Sequence, residues 1–302
     1  MPAPHKLTFV VATKDRPEEF RRLWRSLCSQ DQLPGEVVVV DASARPFSLA
    51  GLEPVSIVLR YLRTGVASAA RQRNLGLDAV GPDVDLVGFL DDDVVLEPGA
   101  VGAMLRFWNA AAAGVAGAAF NMDNHPRPDW PFFKRTPLAE SLGLYGRRRG
   151  SVASSGFQTM IGRVAKTTWT EWLPSTASVW RREIFREHRF DEWFGGYSYL
   201  EDLDFSYRVG KGYRLAVVSD AQYRHLAAPG GRGNGYAFGH REVLNRLHFV
   251  GKHAEFSRGK CYAALTLRLL MNLAFAAKER KTVYLGRAWG NAVGLMESAI
   301  GA

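Results

Sequence analysis

Two kinds of segment alternate along the first third of the chain. Short apolar runs, typical of buried strands, cover residues 7–12, 37–40, 57–62 and 86–90. Stretches with apolar residues at helical spacing cover residues 17–28, 68–79 and 98–113. Nearly continuous apolar strands that alternate with helices predict an α/β fold, with a mostly parallel sheet flanked by helices.

The middle of the chain is less regular. Residues 121–150 are rich in Pro, Trp, Phe and Arg without a sustained period, which predicts an irregular region over the sheet. Residues 200–208 have the spacing of a short amphipathic helix, and residues 215–218 that of a strand leading to His225. The sheet is therefore predicted to continue beyond the irregular region.

The last quarter of the chain has a different character. A glycine-rich stretch, 229–235, predicts a loop, and residues 236–302 are predicted to be mostly helical. We expect one domain over residues 1–228, and a loop with a C-terminal helical extension over residues 229–302. The apolar stretch 262–277 is shorter than the roughly 20 residues that span a bilayer. Packing within the protein is one interpretation; peripheral contact with an anionic membrane through flanking basic residues is the other.

Charge and cysteine content narrow the function classes. The 302 residues carry a net charge of +9, which favours an anionic partner such as a nucleic acid, an acidic membrane or a phosphorylated substrate. Cys28 and Cys261 have neither disulfide nor zinc-site spacing. The first residues lack the pattern of a signal peptide. We therefore expect a cytoplasmic protein, with the inner face of the cell membrane as a further possible place.

Three consecutive aspartates, Asp91, Asp92 and Asp93, directly follow the apolar run 86–90. In open α/β sheets, ligands bind beyond the carboxyl ends of the strands. Acidic residues after a strand also form ordinary turns, but three adjacent like charges are unfavourable unless a cation or hydrogen-bond donors offset them. The pattern predicts a hard divalent cation and chemistry on a diphosphate.

A second acidic group comes later in the chain. Glu201 and Asp202 stand at the start of the predicted helix 200–208, where backbone N–H groups favour negative charge. His225 follows the next predicted strand. Imidazole binds Mn²⁺ readily, but a lone histidine can equally be structural, so both roles stay open for it.

In order and spacing, five features of residues 7–226 resemble the inverting family 2 glycosyltransferases of the GT-A fold. The features are Ala12-Thr13, Asp41, the segment 70–76, the triple aspartate and Glu201-Asp202. The resemblance implies transfer of a sugar from a UDP, GDP or dTDP donor to a saccharide or lipid-linked acceptor. It also implies a role in synthesis of bacterial surface polysaccharide or glycolipid. The donor half would be residues 1–120 and the acceptor half residues 121–228.

The resemblance also assigns roles to individual residues. It gives the nucleotide-sugar contacts to Ala12, Thr13, Asp41, Arg71, Asn74, Asp91 and Asp92. It gives the coordination of Mg²⁺ or Mn²⁺ to Asp93 of the DXD motif, and in some relatives to a histidine at the position of His225. Other interpretations stay open at two positions, because Asp41 can be an ordinary turn residue and Arg71 a surface helix residue. Arg73 is expected to be a surface residue.

The resemblance makes Asp202 the general base, with Glu201 helping to position the acceptor. An acceptor hydroxyl is a poor nucleophile until its proton is removed, so a base of this kind is required. Arg232, in the glycine-rich stretch, is expected to clamp the diphosphate when that loop closes.

Other function classes explain less of the sequence. A nucleotidyltransferase acting on sugar phosphates would use a similar sheet, but no glycine-rich loop with a lysine lies near the first strand. A hydrolase with paired carboxylates leaves Asp41 and the triple aspartate unexplained. A basic nucleic-acid-binding protein would fit the charge, but the chain shows no signature of a recognised binding module, and we expect no nucleic acid partner.

Overall fold

The computed structural model describes residues 5–49, 52, 56–125, 136–196, 198–227 and 234–300. The chain divides into two compact units. Unit 1 combines Met1–Arg127 with Ile161–Pro229, and unit 2 combines Pro128–Met160 with Gly230–Ala302.

The segment 128–160 departs from the expected continuous domain over residues 1–228, because it belongs to unit 2. Its described part is held there by buried contacts. The Tyr145 hydroxyl donates to the Ala264 carbonyl at 2.9 Å. The Arg246 guanidinium lies over the Phe157 ring and donates to the Gly156 carbonyl at 2.6 Å. These partners are distant in sequence, so local composition could not place the segment.

The strands of unit 1 join in one sheet. They are β1 (Leu7–Thr13), β2 (Glu36–Asp41), β3 (Val58–Arg63), β4 (Leu86–Asp91), β5 (Val94–Leu96), β6 (Val115–Met122), β7 (Thr168–Thr170), β8 (Ala177–Arg181) and β9 (Arg214–His225). Their order across the sheet is β3-β2-β1-β4-β8-β6-β9-β5, and β7 pairs with β9.

Helices of both units are well defined. Those of unit 1 are α1 (Pro17–Cys28), α2 (Ala69–Ala79), α3 (Ala100–Ala110) and α5 (Glu201–Gly210). Those of unit 2 are α4 (Pro137–Ser141), α6 (Gly235–Gly251), α7 (Arg258–Glu279) and α8 (Thr282–Ile300). No helix among the described residues is both long enough and apolar enough to cross a membrane. The predicted mixed α/β architecture with a C-terminal helical region is confirmed.

The sheet has a parallel half and a mixed half. Strands β3, β2, β1 and β4 are parallel, and their register sets Ala12 opposite Asp91 and Thr13 opposite Asp41. The carboxyl ends of β1, β2 and β4 therefore meet at one edge, as the sequence predicts. Beyond β4 the parallel prediction does not extend to every strand, because β8 runs antiparallel to both β4 and β6.

Both faces of this sheet are covered by a hydrophobic cluster. Successive side chains of a strand point to opposite sides, so neighbouring residues pack in different clusters. Phe9 packs in the cluster that includes α1 and α3, and Val10 packs in the cluster on the other face. Gly88 on β4 allows a close approach, since a Cβ there would lie 2.3 Å from the Phe9 ring. This tight packing fixes the positions of the strand ends where the acidic residues lie.

In unit 2, helices α6 and α8 approach each other through glycines. A Cβ on Gly239 would lie 2.1 Å from the Arg287 carbonyl oxygen, and one on Gly290 would lie 2.1 Å from the Tyr236 carbonyl oxygen. Only glycine permits this backbone contact.

A buried carboxylate, Glu242, joins the three long helices of unit 2. Its Oε1 lies 3.1 Å from Arg268 Nε and 3.1 Å from Arg287 Nη2. Its Oε2 accepts from Asn291 Nδ2 at 3.2 Å. Burial alone would raise the pKa of Glu242, but the two arginines outweigh it and lower the pKa to about 2. Glu242 is therefore ionised at neutral pH and links the three helices through its two ion pairs and the bond from Asn291.

Candidate functional site

Five carboxylates gather at the strand-end edge of unit 1. Asp91 ends β4, while Asp92 and Asp93 form the turn before β5. Glu201 and Asp202 begin α5, where the unsatisfied backbone N–H groups favour negative charge. The structure thus brings the two acidic groups into one unit.

Asp91, Asp93 and His225 form a candidate metal-binding group. Each offers one ligand atom, and the three atoms lie within 4.8 Å of one another. His225 Nε2 lies 3.1 Å from Asp93 Oδ1. Two carboxylates and an imidazole suit a divalent first-row metal ion such as Mn²⁺. Asp91, predicted as a nucleotide-sugar contact, is here a third potential ligand.

The backbone fixes His225 in this position. Strands β5 and β9 pair with Val94 opposite His225, and the Leu226 N–H donates to the Asp93 carbonyl at 2.9 Å. The Asn124 side chain bonds both the N–H and the carbonyl of His225, at 2.9 and 2.8 Å. These contacts fix the backbone of His225, whose ring lies beside Asp93.

Asp92 is buried beside the metal-binding group. Its Oδ2 accepts from the Thr13 hydroxyl at 2.7 Å, and its Oδ1 accepts from Arg16 Nη1 at 3.1 Å. Arg16 Nη1 also lies 3.7 Å from Asp93 Oδ2. Burial raises the pKa of Asp92 to about 7, although Thr13 and Arg16 act in the opposite direction. Asp92 therefore joins the end of β1, through Thr13, to the turn that Asp92 and Asp93 form.

Arg73 connects the two acidic groups. Its Nη2 lies 2.9 Å from Asp91 Oδ1, and its Nη1 lies 2.6 Å from Glu201 Oε1. The guanidinium also lies over the Phe190 ring, 5.5 Å from its centroid. The expectation that Arg73 is a surface residue is wrong, because the side chain is buried between these partners.

The start of α5 presents its two acids differently. Glu201 is buried and held by Arg73, whereas Asp202 is half-buried and its Oδ1 accepts from the Leu203 N–H at 2.7 Å. Burial raises the pKa of Glu201, and the neighbouring Asp202 raises it further. Burial also raises the pKa of Asp202. Leu200, just before the helix, has a left-handed φ of 78°, which is a strained conformation for leucine. The first acid, Glu201, follows it directly as the first residue of α5.

The charges of this edge do not balance within the described residues. Arg16 pairs with Asp92 and Asp93, and Arg73 pairs with Asp91 and Glu201. Two guanidinium groups thus serve four carboxylates, with the Asp202 carboxylate beside them. A divalent cation would correct this excess, and the oxygen-rich donor set with one imidazole fits such an ion.

The predicted nucleotide contacts at β1 and β2 lie at the same edge. Asp41 ends β2, and its fully buried carboxylate accepts from the Ser43 N–H at 2.8 Å and from the Ser43 and Tyr61 hydroxyls. Burial and Asp41 raise the pKa of Tyr61 to about 12. Three protein donors thus already occupy much of this carboxylate, while Ala12 is half-buried at the end of β1.

Helix α2 shows three consecutive buried polar residues. Gln72 Nε2 donates to the carbonyls of Thr13 and Val40, at 2.9 and 2.8 Å. Asn74 exchanges hydrogen bonds with the Phe190 backbone, at 2.9 Å from Nδ2 and 3.1 Å to Oδ1. With Arg73 between them, these side chains tie the strand ends to the segment before α5.

Two predicted site residues remain, Arg71 and Arg232. Arg71, at the start of α2, is exposed, and its backbone N–H donates to the Ser68 hydroxyl at 3.4 Å. Arg232 lies outside the described residues. Sequence reasoning missed Arg16, Gln72 and Arg73. A signal for the last two exists, because the run Gln72-Arg73-Asn74 cannot turn all its polar groups to one solvated helix face.

More than half of the chain matches one family model. The family model described as "Glycosyl transferase family 2" matches residues 8–188. No protein of curated function matches the chain significantly.

Several solved structures share the fold. S. aureus TarS is similar to this chain at 19% identity with a TM-score of 0.50, over 90% of this chain and 44% of that one. The TarS 1–349 structure gives 17% identity and a TM-score of 0.51, over 98% and 91%. The structure of GalNAc-T7 with UDP, GalNAc and Mn²⁺ gives 12% identity and a TM-score of 0.56, over 80% and 48%. The chain therefore spans less than half of the longer TarS chain and of GalNAc-T7. At these identities the similarity is one of fold, the GT-A type.

Proposed function

Because the chain belongs to glycosyltransferase family 2, we propose that it is an inverting, metal-dependent enzyme that transfers a sugar from a nucleotide-diphosphate sugar to an acceptor hydroxyl. One arrangement carries the proposal. Asp91, Asp93 and His225 offer ligand atoms within 4.8 Å of one another, and Arg73 joins this group to the acids of α5.

Asp91, Asp93 and His225 would hold Mg²⁺ or Mn²⁺. A bound cation would neutralise the diphosphate and stabilise the charge left on the departing nucleotide. The imidazole in the donor set favours Mn²⁺ over Mg²⁺, since Mg²⁺ prefers oxygen ligands. A UDP donor is the first to test, because GalNAc-T7, which shares the fold, was solved with UDP and Mn²⁺. GDP and dTDP donors are the alternatives.

Asp202 is the proposed general base. It is more exposed than Glu201, and Arg73 does not hold it directly. As the acceptor oxygen bonds to the anomeric carbon, its proton passes to a carboxylate oxygen of Asp202. The bond from that carbon to the diphosphate oxygen breaks, and its electron pair leaves with the nucleotide. One displacement of this kind inverts the anomeric centre, while Glu201 positions the acceptor.

The nucleotide is proposed to lie along the ends of β1 and β2. Ala12 and Thr13 would contact it through the backbone at the end of β1, and Asp41 through what remains of its acceptor capacity. The exposed Arg71 is available to a phosphate or a base carbonyl. Asn74 and Asp92 would act by supporting these contacts, and Arg232 by clamping the diphosphate.

The acceptor side of the proposal is broader. We assign the donor to the parallel half of the sheet and the acceptor to residues 161–228, since the segment 128–160 belongs to unit 2. A saccharide or a lipid-linked saccharide is the proposed acceptor class, in synthesis of bacterial surface polysaccharide or glycolipid. The net charge of +9 is consistent with a phosphorylated donor and an anionic surface.

The proposal is tested by thermal unfolding with UDP, GDP or dTDP, each with Mn²⁺, with Mg²⁺ or with a chelator. One nucleotide is expected to raise the midpoint in a cation-dependent way, because a ligand bound to the native state stabilises it. Asp93→Asn should raise the nucleotide concentration that is needed for the same midpoint shift at least tenfold. Asp220→Asn, an exposed residue on β9, is the matched control and should leave it unchanged. Equal responses with the cation and with the chelator would contradict the metal site.

A further inference from the structure

Helices α7 and α8 form a hairpin with a very short connection. Arg280 and Lys281 link the helices, and Arg280 has a left-handed φ of 52°. The inner faces are joined by the hydrogen bond from Asn272 Nδ2 to Asn291 Oδ1 at 2.8 Å. These inner contacts determine which side of each helix faces outward.

The outward side of each helix is an uncharged stripe. On α7 the exposed positions at helical spacing are Ala263, Thr266, Leu270, Leu273 and Ala277. On α8 they are Leu285, Trp289, Met296 and Ile300. The exposed fraction reaches 54% for Leu270 and 63% for Trp289. Residues three or four apart share a helix face, so each set is a continuous stripe rather than scattered apolar residues.

The fold of unit 2 does not account for these stripes. The packing of α8 on α6 uses the opposite side of α8, through Gly290 and Asn291. An amphipathic helix of a soluble protein normally turns charged residues to solvent. Here the solvent-facing side is apolar, and the Arg268 and Arg287 side chains are paired with Glu242. Among the residues that the structure describes, nothing covers the stripes, so they are available to an outside partner.

Basic side chains border the stripes. Lys278, Arg280 and Lys281 surround the hairpin turn; Lys281 pairs with Glu279 at 3.0 Å, so the turn keeps an excess of positive charge. Arg258 and Lys260 lie in the first turn of α7, which has no acidic residue. Positive charge at a helix N-terminus opposes the helix dipole, so helix stability does not explain this placement.

We propose that the α7–α8 hairpin lies on an anionic phospholipid surface, with its outer stripes in the acyl boundary and its basic residues at the headgroups. Apolar stripes with an exposed tryptophan match the acyl boundary, and flanking lysines and arginines match phosphate headgroups. A second copy of this chain fits less well, because its own basic turn would face like charge. The inference goes beyond the proposed function and does not depend on it.

Vesicle flotation of the complete protein tests the proposal. Vesicles of phosphatidylcholine with phosphatidylglycerol should carry the protein upward, and vesicles of phosphatidylcholine alone should not. The triple substitution Lys278→Gln, Arg280→Gln, Lys281→Gln should weaken binding about a hundredfold, because each basic residue near an anionic surface contributes about fivefold. Trp289→Ser should weaken it about tenfold or more. Leu270→Ser should act in the same direction from the other helix.

Matched controls separate surface chemistry from general charge and folding. Arg22→Gln, Arg25→Gln, Arg106→Gln removes three exposed charges of unit 1, and Val58→Ser removes an exposed apolar residue there. Both should retain vesicle binding. All variants should keep the thermal midpoint and the nucleotide response of the unsubstituted protein. Equal binding to neutral vesicles, no binding to anionic ones, or a dimer that Trp289→Ser dissociates would overturn the proposal.

Discussion

Each unit of this protein contains a group of buried charged side chains, and the two groups are arranged in opposite ways. In unit 2, one carboxylate, Glu242, is matched by Arg268 and Arg287, and its pKa falls to about 2. In unit 1, two arginines serve a larger set of carboxylates, and burial raises the pKa of Asp92 to about 7. Among the described residues, the carboxylate of the first group is fully paired, whereas the second group has more carboxylates than guanidinium groups.

The difference shows how a buried charged group that only stabilises the fold can be distinguished from a ligand-binding site. Both groups are buried and both contain arginines, so burial and ion pairs alone do not distinguish them. The direction of the pKa shift does, because it reports whether the surroundings favour or oppose the ionised carboxylate. Carboxylates that outnumber their guanidinium partners among the described residues of a strand-end edge indicate a place where a cation is expected. Substitutions in the two groups should therefore affect different properties.

The largest effect is expected for Asp202→Asn. Loss of the proposed base should lower sugar transfer about a thousandfold, or about 4 kcal/mol in the activation barrier. The free energy of unfolding should stay the same or rise, because one carboxylate of the excess is removed. Steady-state transfer and urea unfolding measure the two. A loss of stability that matches the loss of activity would contradict the comparison.

Glu242→Gln should have the reverse effect. It removes the charge of a buried carboxylate that two half-buried guanidinium groups pair with, which should lower the free energy of unfolding by about 3 kcal/mol. The nucleotide response of the folded protein should persist. Glu297→Gln is the control, since this exposed partner of His240 should cost less than about 1 kcal/mol. Similar losses for the two variants would show that burial does not matter here.

The pH dependence of stability sharpens the same contrast. In protein freed of metal, the folded pKa of Asp92, about 7, lies above its ordinary value of 3.8. The folded state then binds the extra proton, so the free energy of unfolding should fall by about 3 kcal/mol as pH rises from 4 to 7. Asp92→Asn should remove most of this slope in urea titrations. Glu242 acts outside this window, since its contribution is lost only as pH falls towards 2.

The smallest effect is expected at Thr13. Its hydroxyl donates to the buried Asp92 carboxylate at 2.7 Å, and Thr13→Val removes this donor at nearly constant volume. The free energy of unfolding at pH 8 should fall by about 1 kcal/mol. Thr13→Ser retains the hydroxyl and should recover most of the loss. Identical unfolding curves for the valine and serine variants would show that the hydrogen bond contributes nothing.

The sequence predicts those parts of the site that depend on local pattern. The apolar run before Asp91 makes a buried strand, and strand direction then places its end at the edge of the sheet. The spacing of residues 200–208 makes a helix, so Glu201 and Asp202 are correctly placed at its start. In both cases the element and its terminal acids are adjacent in the chain, and no tertiary contact is needed to infer them.

The parts that the sequence does not predict depend on distant partners. The run Gln72-Arg73-Asn74 indicates that some polar group of α2 is buried, but it does not identify the partners of Arg73, because Asp91 and Glu201 are 18 and 128 residues away. Arg16 follows β1 in a loop and meets Asp92 76 residues later. The segment 128–160 joins unit 2 through single contacts such as that of Tyr145. Pairings of this kind require the folded chain.

Arg73 has one more consequence, because a single guanidinium is shared by Asp91 and Glu201. Positive charge that arrives at Asp91 weakens the hold of Asp91 on Arg73 and leaves Arg73 more fully to Glu201. By thermodynamic linkage, the protonation of Glu201 must in turn alter the affinity of Asp91 for that charge by the same factor. The metal-binding group and the acids of α5 are therefore coupled, so that a cation at Asp91 alters the protonation of Glu201.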